Sequence, residues 1–102
     1  MSYEIHITSH LPPRRDIERQ YKKLAEEEHW TTSKINGDPN LGAGAKFYFT
    51  TYETTLDRAF IKLNIMTDRM RDLRIPIIRE KIEHIVFDTK SRVGMELRNT
   101  LA

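Results

Sequence analysis

The feature that most constrains this chain is the order in which its hydrophobic period changes. Near the N-terminus Tyr3, Ile5 and Ile7 alternate with Glu4, His6 and Thr8, the two-residue period of a strand with one buried face. Pro12 and Pro13 end that run, and Ile17, Tyr21, Leu24 and Ala25 then recur at helical spacing through the charged stretch Glu26 to Glu28. This predicts an amphipathic helix of about four turns. Trp30 to Ile35 is rich in β-branched and aromatic residues, and Lys46 to Tyr52 carries the clearest strand signal of the chain. The turn residues between them, Asn36 to Gly44, make the pair a hairpin with a long loop. Thr54 or Thr55 can cap a second helix, marked by Leu56, Ala59, Phe60, Leu63, Met66, Met70 and Leu73. Pro76 closes it, and Ile77 to Phe87 reads as a fourth strand.

The resulting order, β-α-β-β-α-β, is a split β-α-β arrangement. Its usual solution is an α+β, ferredoxin-like fold: a four-stranded antiparallel sheet with both helices on one face and the other face open. The first and third strands then lie in the middle, and the fourth pairs with the first. A chain of 102 residues suits one hydrophobic core. We therefore expect a single domain over residues 1–88, with residues 89–102 as a tail or short helix.

Composition narrows the function classes. No apolar run approaches the roughly 20 residues of a membrane-spanning helix, and the start Met1-Ser2-Tyr3-Glu4 lacks the basic and apolar segments of a secretory signal. The absence of cysteine rules out disulfides and thiolate chemistry and agrees with a reducing compartment. A cytoplasmic protein is expected. Seventeen Lys and Arg against fifteen Asp and Glu give a net charge of +2, too balanced for general nucleic-acid binding by charge alone, so any anion site must be local.

Strand alternation then places the polar residues. If Tyr3, Ile5 and Ile7 face the helices, Glu4, His6 and Thr8 face outward. Phe47 and Phe49 suit the core, which sends Lys46, Tyr48 and Thr50 to the same open face; Ile78 and Ile82 do likewise for Arg79, Lys81 and Glu83. The rows converge around His6. The fourth strand strains this phase, because Glu80 and His84 then share the core frame. A bulge near Glu83 would restore it and would put His84 in place of Glu83. Cross-strand pairing of Glu4 with Arg79 or Lys81 is the purely structural alternative.

On these residues the chain resembles a group of short, largely uncharacterised proteins. They carry Glu-x-His-Ile/Val-Thr near the N-terminus, here Glu4-Ile5-His6-Ile7-Thr8, and Arg-x-Lys-Ile-Glu on a late strand, here Arg79-Glu80-Lys81-Ile82-Glu83. Phe49-Thr50 matches a mid-chain aromatic-Thr pair of the same group. The resemblance implies that these residues form a shared site and brings no activity with it. His6-Ile7-Thr8 is also similar to one of the two strand-borne His-x-Thr motifs of the two-histidine phosphoesterases. The second copy is missing, since His84-Ile85-Val86 lacks the hydroxyl. RNA-recognition modules share the expected fold, and Tyr48 could stack a base, but Lys46 to Phe49 lacks their glycine pattern.

Other motifs carry less. The glycines of the hairpin loop form neither a Walker motif nor a dinucleotide fingerprint. His6, His10, His29 and His84 lack the close helical spacing of zinc ligands, so no metal and no cofactor are expected. The chemistry the residues suit is acid–base work: His6 exchanging a proton, Glu4 or Glu83 orienting it, and Arg79 and Lys81 holding an anion beside Thr8, Tyr48 and Thr50. The expected function is binding of a small anionic, nucleotide-like ligand on the open face, with possible catalysis by His6. The alternatives are a homodimer or protein-interaction module buried through that face, anchored by Tyr48 and Tyr52, and a single-stranded RNA-binding domain.

Overall fold

The computed structural model describes residues 2–36 and 44–86. They form β1 (Ser2–His10), α1 (Arg15–Glu27), β2 (Thr31–Asn36), β3 (Ala45–Glu53), α2 (Leu56–Asp72) and β4 (Arg79–Ile85). The strands make one antiparallel sheet in the order β2-β3-β1-β4, the ferredoxin-like arrangement. The expected tail at 89–102 and most of the hairpin loop lie outside the described residues. Among the described residues no helix is long and apolar enough to cross a membrane.

The pleat divides β1 and β3 as the alternation requires. Ile5, Ile7, Phe47 and Phe49 are wholly buried, packed against Tyr21, Leu24 and Ala25 of α1 and Ala59, Leu63, Met66 and Met70 of α2. Tyr21 meets Phe47 edge-on at 5.2 Å, an arrangement that adds to the area it buries. Each fully buried side chain of this size contributes about 1.5–3 kcal/mol through removal from water, so these residues dominate the stability of the sheet–helix layer.

Both helices end in the same way. The Trp30 amide donates to the Ala25 carbonyl at 2.7 Å, and the Ile75 amide to the Met70 carbonyl at 2.8 Å. His29 and Arg74 precede them with φ of 62° and 58°. These are Schellman motifs in which a non-glycine residue holds the left-handed position. What stabilises them is the apolar contact that follows, since Trp30 and Ile75 are both buried. Trp30 is thus an anchor of the α1–β2 turn rather than a member of the second strand; its Nε1 is a buried donor with no hydrogen-bond partner among the described residues. The helices are tied together by Arg69, whose guanidinium donates to Glu28 at 3.0 Å and to Glu27 at 3.4 Å. Lys34 of β2 pairs with Glu18 of α1. The Arg58 amide donates to the Thr55 hydroxyl at 3.2 Å, so Thr55 and not Thr54 caps α2.

Three expectations need correction. Leu56, Phe60 and Leu73 belong to the predicted stripe of α2, yet they are exposed; the buried positions are Ala59, Leu63, Met66, Thr67 and Met70. The helix turns a narrower face to the sheet than its run of apolar residues suggests. On β4 no bulge interrupts the pairing, which runs in step from Ser2 opposite Ile85 to Thr8 opposite Arg79. Glu83 therefore stays on the open face, and His84 stacks on the Tyr3 ring at 4.8 Å on the other side. The strand tolerates Glu80 and His84 in the core frame because it is an edge, where both remain exposed. Finally, Ile77 and Ile82 pack against the core, where Ile78 and Ile82 were expected.

Candidate functional site

The register arranges the open face as three rows running across the strands. The first joins Ser33, Tyr48, Thr8 and Arg79; the second joins Thr31, Thr50, His6 and Lys81; the third joins Tyr52, Glu4 and Glu83. Directly opposed residues of an antiparallel pair share a face, so the residues expected there from alternation fall in these rows, apart from Lys46, which pairs with His10 and Ile35 one row further on and is buried. Residues of all three rows, with Ile35 and Asn36 beyond them on β2, line a basin of about 340 Å³. His6, Thr8, Tyr48, Thr50, Arg79, Lys81 and Glu83 line it. Glu4 stands beside it, against His6.

His6 is held at both ring nitrogens. Nε2 lies 2.9 Å from Glu4 Oε1, two residues along the same strand and on the same face. Nδ1 lies 3.1 Å from Thr50 Oγ1, the residue opposite on β3. In the neutral ring Nε2–H donates to the carboxylate and Nδ1 accepts from the hydroxyl; in the cation both nitrogens donate. A hydroxyl can serve as donor or acceptor by rotating, so Thr50 satisfies the ring in either state. The Lys81 ammonium, opposite His6 in the ladder, stands 2.5 Å from Glu83 Oε1. Its hydrogen bond holds the Glu83 carboxyl below the usual carboxylate range, against the opposing pull of partial burial.

Glu4, His6 and Glu83 each present one donor atom, all within 4.8 Å of one another. That spacing is within the span of a divalent cation, with oxygen and imidazole donors suited to Zn²⁺ or Mn²⁺. Lys81 already pairs with Glu83, however, so a metal ion at this point would have to compete with its ammonium for that carboxylate.

Three basin residues escaped the sequence reading. Ser33, Ile35 and Asn36 come from β2, where they close the side opposite β4. Their signal was the hairpin: Ser33 faces Tyr48 and Ile35 faces Lys46 only in the observed register. A long loop leaves that register unspecified, because a slip of one residue exchanges the two faces. Thr8 is also more enclosed than its outward position implies, being buried between Tyr48 and Arg79.

The scaffold holds the β4 half of the site through two bonds from the end of β1. Ser9 Oγ donates to the Pro76 carbonyl at 2.5 Å, and the Ile78 amide donates to the Thr8 carbonyl at 2.8 Å. These set where Arg79 begins the strand. No protein-family model matches the chain and no curated protein sequence matches it, so its function is to be read from this geometry.

Proposed function

We propose that the open sheet face binds a small anionic ligand with a ring, nucleotide-like in form, and that His6 exchanges a proton with it. The observation that carries the reading is the convergence on one basin of Arg79, Lys81 and His6 with an aromatic wall, Tyr48. Arg and Lys supply charge-assisted hydrogen bonds to phosphate or carboxylate oxygens, and Tyr48 and Ile35 supply apolar surface for a ring. His6 has the attributes of a general acid or base: an orienting carboxylate on one nitrogen and a partner on the other that accommodates either protonation state.

Isothermal titration of the full chain with inorganic phosphate and a nucleotide panel tests it. We expect binding that weakens at least tenfold in Lys81→Gln and in Tyr48→Ala. Silence across the panel, or affinities indifferent to both substitutions, would refute the reading.

A second reading draws on Ile35 and Tyr52, which are 52% and 43% exposed on the same face: the face is covered by a second copy of the chain. Light scattering separates the two, because a dimer disrupted by Tyr52→Ser with no ligand response belongs to the second alone. If Tyr48 instead stacks a base of single-stranded RNA, affinity will fall steeply with added salt.

A further inference from the structure

We infer that the outer face of α2 is an interface at which two copies of the chain pair, with their α2 helices antiparallel and both basins left open. The helix buries one side, Ala59, Leu63, Met66 and Met70, against the sheet. At about 100° per residue, Arg58, Ile61, Ile65 and Asp68 fall on a second line roughly 150° round from that side. All four are exposed, Ile61 by 59% and Ile65 by 48%. Their spacing of three, four and three residues is that of a seam along which two helices pack. A helix that only covers a core carries polar residues on this side. Leu56 and Phe60 are exposed as well, but they lie within about a quarter turn of the buried side and take no part in the seam.

The order of charge along the seam identifies the occupant as a second copy. Arg58 stands three residues before Ile61, and Asp68 three residues after Ile65. Turned antiparallel about a two-fold axis at the level of Leu63, the line complements itself: Ile61 meets Ile65 of the partner subunit, and Arg58 meets the partner subunit's Asp68. The symmetry repeats each contact, so four isoleucines are enclosed between two pairs of opposite charge. A parallel pairing would instead set Arg58 against Arg58 of the partner subunit, and Asp68 against the partner's Asp68, which repel. Within the chain Asp68 meets Arg71 at 3.3 Å, an exposed pair that contributes little by itself and can be shared. The cations on the flank have carboxylates of their own. Lys62 lies 3.8 Å from Glu53, and Arg69 holds Glu27 and Glu28, so no row of like charges enters the contact.

A groove of about 310 Å³ runs beside the seam, lined by Arg58, Ile61, Lys62 and Ile65 of α2 with Glu28 and Glu53. An isoleucine of the partner subunit has space to enter it. The helices cover the side of the sheet away from His6 and Arg79, so pairing here hides neither basin and leaves the two facing away from each other. That separates it from a dimer made through the open face.

Sedimentation velocity and light scattering of the full chain, from about 1 µM to about 500 µM, test it, since a contact of this size suits a dissociation constant on the order of 10 µM. We expect a dimer whose population rises with concentration. Ile65→Asp should weaken association about twentyfold or more, and Ile61→Asp acts in the same way and serves if the first variant does not fold. Arg58→Asp and Asp68→Arg should each weaken it about tenfold, because every like-charge contact occurs twice, and the double variant should return to within about threefold of the unmodified chain. Tyr52→Ser should leave this dimer intact. Circular dichroism checks that each variant folds. A chain monomeric over the whole range, a dimer indifferent to folded Ile65→Asp, a dimer lost in Tyr52→Ser, or a double variant no better than its single members would overturn the inference. So would a monomer that loses stability in Ile65→Asp, which would assign the face to residues 87–102 of the same chain. Titration with inorganic phosphate follows the basin separately, so the anion-binding reading stands or falls apart from these results.

Discussion

Glu4 Oε1 lies 2.9 Å from Nε2 of His6, one pleat along the same strand, so the two side chains stand side by side on the open face. Thr50 reaches the other ring nitrogen from the neighbouring strand. The imidazole is therefore set by one local contact and one that exists only through sheet pairing. Thr50→Val keeps the shape and removes the second. We expect a loss of about 0.5–1.5 kcal/mol in urea denaturation and, in ¹⁵N spectra of the His6 ring, a change from one neutral tautomer to a mixture. A single unchanged tautomer in the variant would show that Glu4 orients the ring alone.

Ser9 is fully buried and its hydroxyl donates to the Pro76 carbonyl, tying the centre of the sheet to the turn that leads into β4. Ser9→Ala removes that donor. The expected cost is about 1 kcal/mol, near the lower end for a buried acceptor because Pro76 is exposed and its carbonyl can turn to water. As Arg79 begins just beyond this tether, anion affinity should fall as well. Unaltered affinity alongside lowered stability would place the positioning of Arg79 in the β1–β4 ladder itself.

His29 and Arg74 occupy left-handed backbone that costs a non-glycine residue about 1–2 kcal/mol. Glycine relieves it but gives back about 0.5–1 kcal/mol through the greater freedom of the unfolded chain. Arg74→Gly and His29→Gly should each therefore stabilise the protein by up to about 1 kcal/mol. Thermal unfolding is the check, and a lowered midpoint in both would mean that the side chains make compensating contacts.

The depressed Glu83 carboxyl gives stability a defined pH dependence. Because its proton affinity is lower in the folded chain, the Lys81–Glu83 pair contributes fully above the ordinary carboxylate pKa of about 4.3 and is lost as pH falls through the lower folded value. Glu18, held below its usual range by Lys34 and Lys22, behaves in the same sense. Both are exposed enough that each contributes modestly. Denaturation series between pH 6 and acid should show a shallower decline in Glu83→Gln than in the unmodified chain; identical slopes would mean that the pair contributes nothing to folding.

Much of this was legible in the sequence, and for a definite reason. Periodicity is a local property: an alternating run such as Tyr3 to Thr8 can bury one face only as a strand, and Ile17, Tyr21 and Leu24 can meet only on a helix. Hence the element order, the ferredoxin-like sheet and the outward direction of Glu4, His6, Thr8, Tyr48, Thr50, Arg79 and Lys81 followed from residue spacing alone. The phase of β4 beyond Lys81, and with it the choice between Glu83 and His84, did not follow. An edge strand need not bury both alternate positions, so exposed Glu80 and His84 in the core frame cost little and no bulge was required. The β2 wall did not follow either, because Ser33, Ile35 and Asn36 join the basin through a hairpin register that a long loop does not dictate. The chain's own pattern determined which side chains face outward. Only the three-dimensional pairing of strands decided which of them meet, placing Lys81 opposite His6 and Glu83 opposite Glu4, because contact across a sheet depends on register between segments far apart in sequence.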